Sequence, residues 1–336
     1  MQIIKINILT KIIFTTILLL LLFKNDLFAN SNPPDFDKWL IKFKSTALKK
    51  GISKETIDLT FVNVKYLANV IKYDRKQPEF FEDTITYISK RASQKRVNQA
   101  KKLLKKNQTL FNEVESKFHV EKEILVSLWA IETNFGRHVG KMDIISSLAT
   151  LSFDKRRSEF FSYQLITLLK LIDKKIVDPS KLYGSWAGAY GNFQFMPTTI
   201  SNYAIDYDKN NKIELKESLY DSLASAANYI NKIGWKMGEP CFQQVKLTKE
   251  IKNKYLNKSA RSIKNKLKMS SWKKMGVVNS DGSEIKNNFK SALIIPDGDI
   301  NGPIYLVYDN YEKILKWNRS LRFGVTVCTL SKKIKN

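Results

Sequence analysis

Apolar residues recur at helical spacing in the region that follows the N-terminal segment. Between residues 36 and 50 they lie three to five positions apart, at Phe36, Leu40, Phe43 and Leu48. Such spacing places apolar side chains on one face of a helix. The stretch 80–118 continues in the same amphipathic pattern and contains neither glycine nor proline. These patterns predict an N-terminal helical lobe over residues 33–110.

Two later segments are more uniformly apolar. Residues 123–135 and 158–176 have the composition of helices that are buried rather than lying at the surface. Glycine then becomes frequent in YGSWAGAYGNFQFMP, residues 183–197, which requires loops or close helix contacts. We therefore predict that the region 111–238 forms a buried helical core.

The pattern changes again towards the C-terminus. The segments CFQQVKL, SALIIPDG and GPIYLVYDN alternate between apolar and polar residues or form short apolar runs separated by turn residues. Such runs are typical of short strands, so residues 239–306 are predicted to form a small β subdomain. From Tyr311 to Ile334 the spacing is helical once more, and a final helix is expected within 307–336.

A short apolar run near the N-terminus has the features of a secretory signal peptide. Lys5 and Lys11 precede the run 12–23, and Ala29 is a small residue suited to cleavage. The alternative, an uncleaved membrane anchor, needs roughly 20 apolar residues, which this run lacks. We therefore predict that residues 1–29 are removed. The mature chain is then expected in the periplasm, without stable insertion into the membrane.

Composition and charge narrow the class of partner. Hydrophobic residues make up 43% and aromatic residues 12% of the chain, as in ordinary globular proteins, which excludes disorder as a class. The net charge is +25, and removal of residues 1–29, with three lysines and one aspartate, leaves +23. The lysines are scattered over helical faces, and no nucleic-acid recognition motif is present. The predicted partner is an acidic polymer outside the cytoplasm rather than nucleic acid.

The cysteine and histidine residues do not indicate a metal or redox centre. The two cysteines, Cys241 and Cys328, allow one pairing, and an exported protein can form disulfides. Cys328 also lies in the apolar segment FGVTVCTL, where a buried thiol is ordinary core. The sequence leaves both states open. His119 and His138 form no zinc-binding pattern.

One carboxylate interrupts the apolar stretch SLWAIETNFGRHVG, residues 127–140. Glu132 falls in the last turn of the predicted helix, for which Gly136 supplies a C-terminal stop. Burial and the negative end of a helix dipole both favour the protonated form of a carboxyl group. Such an acid can protonate the leaving oxygen of a glycosidic bond. An ion pair of Glu132 with Arg137 or Lys141, or a position turned towards solvent, explains the pattern as well.

The stretch DYDKNNKIELKE, residues 206–217, fits the spacing of an EF-hand calcium loop. Its predicted ligands are the side chains of Asp206, Asp208, Asn210 and Glu217 and the backbone carbonyl of Lys212. Asn211 stands where such loops usually have glycine, although asparagine tolerates the left-handed conformation that the turn requires. A surface loop that is rich in aspartate and asparagine but binds no metal is the alternative.

Six segments follow one another in the order and spacing of a known family. They are AIETNFGRHVGK, ATLSFDKRRSEFF, GSWAGAYGNFQFMPTTI, YAIDYDKNNKIEL, SAANYINKIGW and WNRSLRFGVTVCTLSKKI. Over residues 36–334 the chain resembles the lytic murein transglycosylase B type, glycoside hydrolase family 103. The resemblance implies a mainly α (α+β) fold in which a lysozyme-like core, 111–238, is completed by the helix in 307–336. The helical lobe, the EF-hand-like loop and a β subdomain inserted before the last helix complete the expected architecture.

The resemblance also implies an activity. Members of this family cut the β-1,4 bond between N-acetylmuramic acid and N-acetylglucosamine in peptidoglycan without adding water, and they leave a 1,6-anhydromuramic end. Glu132 matches the single catalytic residue of the family, which acts first as an acid and then as a base. Because the nucleophile belongs to the substrate, neither a second carboxylate nor a catalytic cofactor is required. A muramidase that hydrolyses the same bond and a non-catalytic murein-binding protein are the alternatives.

Further positions match the family one by one. The residues that match substrate-binding positions are Ser185, Gln194, Tyr229, Asn318, Arg156 and Arg157. For Ser185, helix capping or loop hydrogen bonding is an alternative role. Calcium in the loop 206–217 is expected to be structural. The expected partner is the peptidoglycan glycan strand, and the protein is expected to be a monomer.

Three positions depart from the family pattern. Trp317 and Phe323 stand where tyrosine is common, and Phe193 stands where a small residue is common. Stacking on sugar survives an exchange between aromatic residues, but a contact made by the tyrosine hydroxyl is expected to be lost.

Overall fold

The computed structural model describes residues 32–76 and 81–336. The signal peptide predicted for residues 1–29 lies outside the described residues. Within the described ranges, no helix combines the length and the apolar character that are needed to cross a membrane.

The N-terminal region is helical, as predicted. Its helices are α1 (Pro34–Lys49), α2 (Lys54–Thr60), α3 (Ala68–Arg75), α4 (Thr84–Arg91), α5 (Gln94–Lys106) and α6 (Gln108–Phe118). The buried face of α1 consists of Phe36, Leu40, Phe43 and Ala47. Leu48, which the spacing placed on this face, is 48% exposed. Position 47 follows position 43 by four residues and stays on the face, whereas position 48 is rotated away from it.

The central helices enclose the glycine-rich segment. They are α7 (Lys122–Thr133), α8 (Ile144–Phe153), α9 (Ser158–Asp173), α10 (Pro197–Tyr203) and α11 (Leu219–Lys232). Two short antiparallel strands, β1 (Met142–Asp143) and β2 (Tyr183–Gly184), lie among them. α7 is buried on nearly every side, as predicted, and packs against α5, α6 and α11. It ends before Gly136, because Asn134 adopts the left-handed conformation at φ 51° and caps the helix.

The β subdomain holds a five-stranded sheet. Its strands are β3 (Phe242–Leu247), β4 (Leu256–Asn257), β5 (Val277–Asn279), β6 (Ala292–Ile294) and β7 (Ile304–Val307). They lie in the order β4-β6-β7-β3-β5, and only β4 and β6 run parallel. Alternate residues of β6 and β7 face two different cores. Leu293 and Leu306 join a cluster around Trp272 of α12 (Met269–Lys274), whereas Ala292 and Val307 join the main helical core.

The last two helices, α13 (Asp309–Trp317) and α14 (Leu321–Lys335), return from the sheet to the helical core. α14 packs along α7. A single cluster of buried apolar residues extends from Phe36 of α1 to Ile334 of α14. The predicted fold class, mainly helical with a small sheet that precedes the final helices, is confirmed.

Two long-range links tie the β subdomain to the helices. Cys241 forms a disulfide with Cys328 of α14, with 6.1 Å between their Cα atoms. The bonded state, which the sequence left open, is therefore the one in the structure. Asp297 Oδ1 accepts hydrogen bonds from Arg322 Nη2 at 2.8 Å and from Thr84 Oγ1 at 2.6 Å. These links fix the sheet against both α4 and α14.

Candidate active site

A cleft of about 890 Å³ lies between the helical core and the β subdomain. Gln194, Tyr229 and Asn318 line one side, and residues 258–261 and Pro296 of the β subdomain also line it. Seven side chains of the lining are cationic, and no acidic side chain of the described chain belongs to it. The cationic residues are Arg156, Arg157, Lys258, Arg261, Lys316, Arg319 and Arg322. This lining suits an anionic ligand.

Glu132 lies in the last turn of α7, as predicted, and is partly buried. Its Oε1 accepts a hydrogen bond of 2.9 Å from Nε1 of Trp317, the last residue of α13. Trp317 lines the cleft, so the carboxyl group contacts a residue of the cleft lining without itself being part of that lining. The two residues are 185 positions apart in the sequence, and no local pattern predicts their contact.

Stacked aromatic rings support Trp317. Tyr229 stacks on the indole with 5.1 Å between ring centroids, and Tyr203 stacks on Tyr229 at 4.5 Å. Tyr229 Oη donates a hydrogen bond of 3.1 Å to the backbone oxygen of Lys316, next to the indole. Burial raises the pKa of Tyr229 to about 12, so the phenol keeps its proton at neutral pH. Tyr229, which matches a substrate-binding position of the family, therefore also holds Trp317 in place.

Two of the three departures from the family pattern meet at this point. Phe193 is 1% exposed, and its ring lies edge-on to the indole of Trp317 at 6.2 Å. Phe195 contacts the same indole at 5.4 Å. Phe323 is buried within α14 instead. At position 317 the indole N–H donates a hydrogen bond to Glu132, which the residue type alone did not predict.

Ser185 and Gln194 both stabilise the glycine-rich segment. Ser185 Oγ accepts hydrogen bonds from the backbone N–H groups of Ala189 at 3.0 Å and Ala187 at 3.3 Å. This is the loop hydrogen bonding considered as the alternative role of Ser185. Gln194 has a left-handed backbone with φ 50°, and its Nε2 donates to the carbonyl of Gly191 at 2.9 Å. Its side-chain nitrogen is thus engaged, which leaves Oε1 as the group that can accept a hydrogen bond in the cleft.

Arg156 and Arg157 line the cleft and also contact a buried acid. Arg156 Nε donates to Asp74 Oδ2 at 2.8 Å, and Arg157 Nη1 donates to Asp74 Oδ1 at 3.4 Å. Asp74 is 2% exposed, and Arg75 Nη1 also donates to it at 2.8 Å. The side chains of Arg156 and Arg157 remain 43% and 40% exposed, so each still offers N–H donors to a ligand. Sequence reasoning missed Asp74, whose two partners in the cleft lining lie 82 and 83 residues away.

The predicted calcium loop forms part of an acidic cluster. Carboxylate oxygens of Asp206, Asp208 and Asp221 lie within 4.8 Å of one another. Hard oxygen donors at this separation fit calcium. Asp221, in the first turn of α11, is fully buried and accepts the backbone N–H groups of Tyr207 at 2.8 Å and Glu214 at 2.9 Å. Burial raises its pKa, and the charge of Asp208 acts in the same direction.

The other predicted ligands have different surroundings. Asn210 Oδ1 accepts a hydrogen bond of 2.9 Å from the backbone N–H of Lys212. Glu217 is not part of the three-acid group found in the described chain, and it lines a separate cavity. Asn211 is left-handed with φ 68°, as predicted, and its N–H donates to Asp206 Oδ2 at 2.8 Å. Asp221 lies beyond the twelve-residue template, and for this reason the spacing did not find it.

The separate cavity has a volume of about 430 Å³ and lies between α2, the end of α9 and residues 212–217. Its acidic lining residues are Glu55, Asp173, Asp178, Glu214 and Glu217, and its basic ones are Lys175, Lys181 and Lys212. None of its lining residues comes from the β subdomain. We call it the rear cavity.

Comparison with known proteins agrees with this arrangement. The chain is similar to membrane-bound lytic murein transglycosylase B of Escherichia coli strain K12, with 31% identity over 218 residues. The similar region covers 65% of this chain and 58% of that protein's length.

Solved structures match over more of the chain. SltB3 of Pseudomonas aeruginosa, in complexes with NAG-NAM-pentapeptide and with NAG-anhNAM-pentapeptide, has a TM-score of 0.80 and 34% identity over 90% of this chain and 80% of its own. The Escherichia coli lytic transglycosylase Slt35 in complex with calcium has a TM-score of 0.74 and 25% identity, over 88% of this chain and 92% of its own. A family model described as the transglycosylase SLT domain matches residues 35–332. The chain therefore belongs to the transglycosylase SLT domain family.

Proposed function

We propose that this protein is a peptidoglycan lytic transglycosylase. It cleaves the β-1,4 bond between N-acetylmuramic acid and N-acetylglucosamine and forms a 1,6-anhydromuramic end. The observation that carries the proposal is the position of Glu132, a partly buried acid held by Trp317 at the wall of a cationic cleft. Membership of the transglycosylase family and the anhydro-sugar ligand in the SltB3 complex support it.

Glu132 performs both proton transfers. As an acid it protonates the oxygen that leaves C1 of N-acetylmuramic acid, and the C1–O bond breaks. The resulting carboxylate then takes the proton of the muramic C6 hydroxyl while O6 forms a bond to C1. The proton returns to Glu132, no water is consumed, and the enzyme is ready for another cleavage.

The source of the nucleophile distinguishes this reaction from hydrolysis. Hydrolytic glycosidases use a second carboxylate, either as a nucleophile or as a base that activates water. An intramolecular nucleophile from the sugar removes the need for one.

The polar and cationic residues of the cleft bind the substrate in this proposal. Gln194 offers Oε1 to a sugar N–H or hydroxyl group, and Asn318 and Tyr229 line the same wall. Arg156 and Arg157, fixed by Asp74, are positioned to bind carboxylates of the lactyl or peptide groups. The binding role of Ser185 is indirect, because its hydroxyl group shapes the loop beside the cleft.

A calcium ion has a structural role in this proposal. Asp206, Asp208 and Asp221 would hold it, with Asn210 and the carbonyl of Lys212 as further oxygen donors of the loop. The ion would add stability near α11 and take no part in proton transfer. The presence of calcium in the Slt35 complex supports this assignment.

We also propose that the protein acts in the periplasm as a monomer. The signal-peptide pattern in residues 1–29 supports export. Peptidoglycan is the acidic extracytoplasmic polymer that the net charge of +25 predicts as a partner.

Mass spectrometry of digested murein tests the function. The purified mature chain is expected to release muropeptides that each lack one water relative to hydrolysis products, and Glu132→Gln is expected to release them at least about a hundredfold more slowly. Products with reducing muramic ends would identify a muramidase instead. If no muropeptides are released at all, the result would support a non-catalytic murein-binding protein.

A further inference from the structure

The rear cavity combines buried apolar residues with exposed charged ones. Ile172, Val177 and Leu215 belong to its lining and are buried. Six of its eight charged lining residues are exposed. A volume of about 430 Å³, apolar walls and a few polar groups are typical of a site for a small ligand. The rear cavity shares no lining residue with the cleft.

Tyr190 supplies a buried hydroxyl group to the rear cavity. The residue is 7% exposed, and within the described part of the chain its hydroxyl group has no hydrogen-bond partner. Burial raises the pKa of Tyr190, and the charges of Glu217, Asp178 and Glu214 act in the same direction. These three acids line the same cavity, so the hydroxyl end of the ring faces it. A buried hydroxyl group without a partner is unfavourable, and a ligand can satisfy it.

The backbone of Tyr190 is held in place before any ligand binds. Its N–H donates a hydrogen bond of 3.0 Å to the carbonyl of Phe195, and its own carbonyl accepts the N–H of Phe195 at 2.9 Å. A group that is already fixed loses little freedom when a ligand binds. The position of the hydroxyl group is therefore set by the fold.

The acids and the lysines of the rear cavity do not pair with one another. Over the described residues, no ion pair joins any of its five acids to any of its three lysines. Asp173 Oδ1 accepts a hydrogen bond from Thr56 Oγ1 at 2.6 Å, and Asp178 Oδ1 accepts one from Ser180 Oγ at 2.7 Å. The carboxylate of Glu217 has no partner among the described residues. Groups of both signs are thus available to one ligand.

We propose that the rear cavity binds a short peptide with free termini. The ammonium group of the peptide donates hydrogen bonds to Tyr190 Oη and to the carboxylate of Glu217. Its carboxylate lies near Lys175 or Lys181, and an apolar side chain packs against Leu215. A ligand with charge of one sign only would leave the lysines or the acids unmatched. This site does not depend on the reaction proposed for the cleft.

Three dipeptides test the class of ligand. Leucyl-alanine carries both charges, its N-acetyl form lacks the ammonium group, and its amide form lacks the carboxylate. Saturation-transfer NMR with the mature chain is expected to give a Kd of about 1 mM for leucyl-alanine. Each blocked form should bind about tenfold more weakly, because it loses a hydrogen bond between charged groups. Equal binding of all three forms, or no binding of leucyl-alanine at about 10 mM, overturns the proposal.

Substitutions test the location of the peptide. Tyr190→Phe removes only the hydroxyl group and should raise the Kd about fivefold, and Glu217→Gln should raise it about tenfold. Glu250→Gln makes the same change at an exposed acid of the β subdomain and should leave the Kd unchanged. Lys258→Ala with Arg261→Ala removes charge from the cleft and should also have no effect.

The measurements with Glu217→Gln are made in the presence of a chelator, so that an effect on calcium does not contribute. Binding that weakens only in the cleft variant would place the peptide in the cleft and overturn the proposal. Equal binding by the wild-type protein, Tyr190→Phe and Glu217→Gln would also overturn it. If Tyr190→Phe fails to fold, the comparison of Glu217→Gln with Glu250→Gln still decides the question.

Discussion

The cleft and the rear cavity differ sharply in charge, although both belong to one strongly basic protein. Seven cationic and no acidic side chains of the described chain line the cleft, whereas five acids and three lysines line the rear cavity. The acids nearest to the cleft, Glu132, Asp74 and Asp297, contact lining residues without lining the cleft themselves. A cleft with one sign of charge raises the local concentration of an oppositely charged polymer. We therefore expect the location of the positive charge to matter more for substrate binding than the net charge.

The largest effect is expected from an acid next to the cleft rather than one in the rear cavity. Glu132→Gln should reduce murein cleavage by about 10²- to 10⁴-fold, because the amide is nearly isosteric but cannot deliver a proton. Glu55→Gln, the same change in the rear cavity, should leave the rate within about twofold. The release of anhydro-muropeptides measures both. Near wild-type activity of the first variant would exclude Glu132 as the acid.

The disulfide should matter more to the cleft than to the rear cavity. It links two residues that are 87 positions apart and holds the β subdomain, which lines the cleft but not the rear cavity. The double variant Cys241→Ala with Cys328→Ala should lose about 2–5 kcal/mol of unfolding free energy. Denaturant unfolding measures this loss, and murein binding should weaken with it. A reducing agent should change the wild-type protein but not the variant, and equal stability of the two would contradict the prediction.

Calcium should act on the side of the molecule that borders the rear cavity. An ion that binds only the folded loop stabilises it by about 2.7 kcal/mol at a hundredfold excess over Kd. Addition of calcium to chelated protein should therefore raise Tm. Asp206→Ala and Asp221→Asn should remove most of this calcium-dependent rise, and Glu217→Ala should retain it.

The calcium-dependent change in Tm distinguishes the twelve-residue template, which includes Glu217, from the acidic cluster, which includes Asp221. Each variant is measured with and without calcium and so serves as its own reference. Loss of the rise in Glu217→Ala, with retention in Asp221→Asn, would support the twelve-residue template over the acidic cluster. If the Tm of the wild-type protein does not change when calcium is added, calcium does not bind this loop.

The smallest effect is expected from the removal of two positive charges. The two double variants have equal net charge but differ in where the charges are removed. Lys258→Ala with Arg261→Ala removes two positive charges from the cleft, and Lys175→Ala with Lys181→Ala removes two from the rear cavity. Only the first pair should raise the apparent KM for murein, by roughly tenfold, and weaken its dependence on salt. Equal effects of the two pairs would show that net charge alone attracts the substrate.

Patterns within one segment were predictable from the sequence. The helical spacing, the buried turn that carries Glu132, the strand-rich subdomain and the left-handed turn at Asn211 each depend on neighbouring residues. Even there, small differences arose at helix ends. Gly136 was predicted to end α7, but Asn134 adopts the left-handed conformation and ends the helix earlier. Leu48 shows the same limit, because a spacing of five residues leaves the buried face of a helix.

Contacts between distant segments were not predictable in this way. The partner of Glu132 is an indole 185 positions away, and Asp74 meets Arg156 across 82 positions. Asp221 joins the calcium loop from the next helix, outside the loop template. Residue type indicates which groups a side chain can bind, but the packing of helices decides which groups it meets.

The separation of Glu132 from Trp317 also sets an order of events during synthesis. A chain that grows from its N-terminus at about 5–20 residues per second exposes Glu132 roughly 10–40 s before Trp317. Until α13 docks, the hydrogen bond between Trp317 and the carboxyl group is absent. On the proposed mechanism, a nascent or partly translocated chain is therefore inert towards the cell wall. The enzyme becomes active only when its C-terminal helices have closed onto the core.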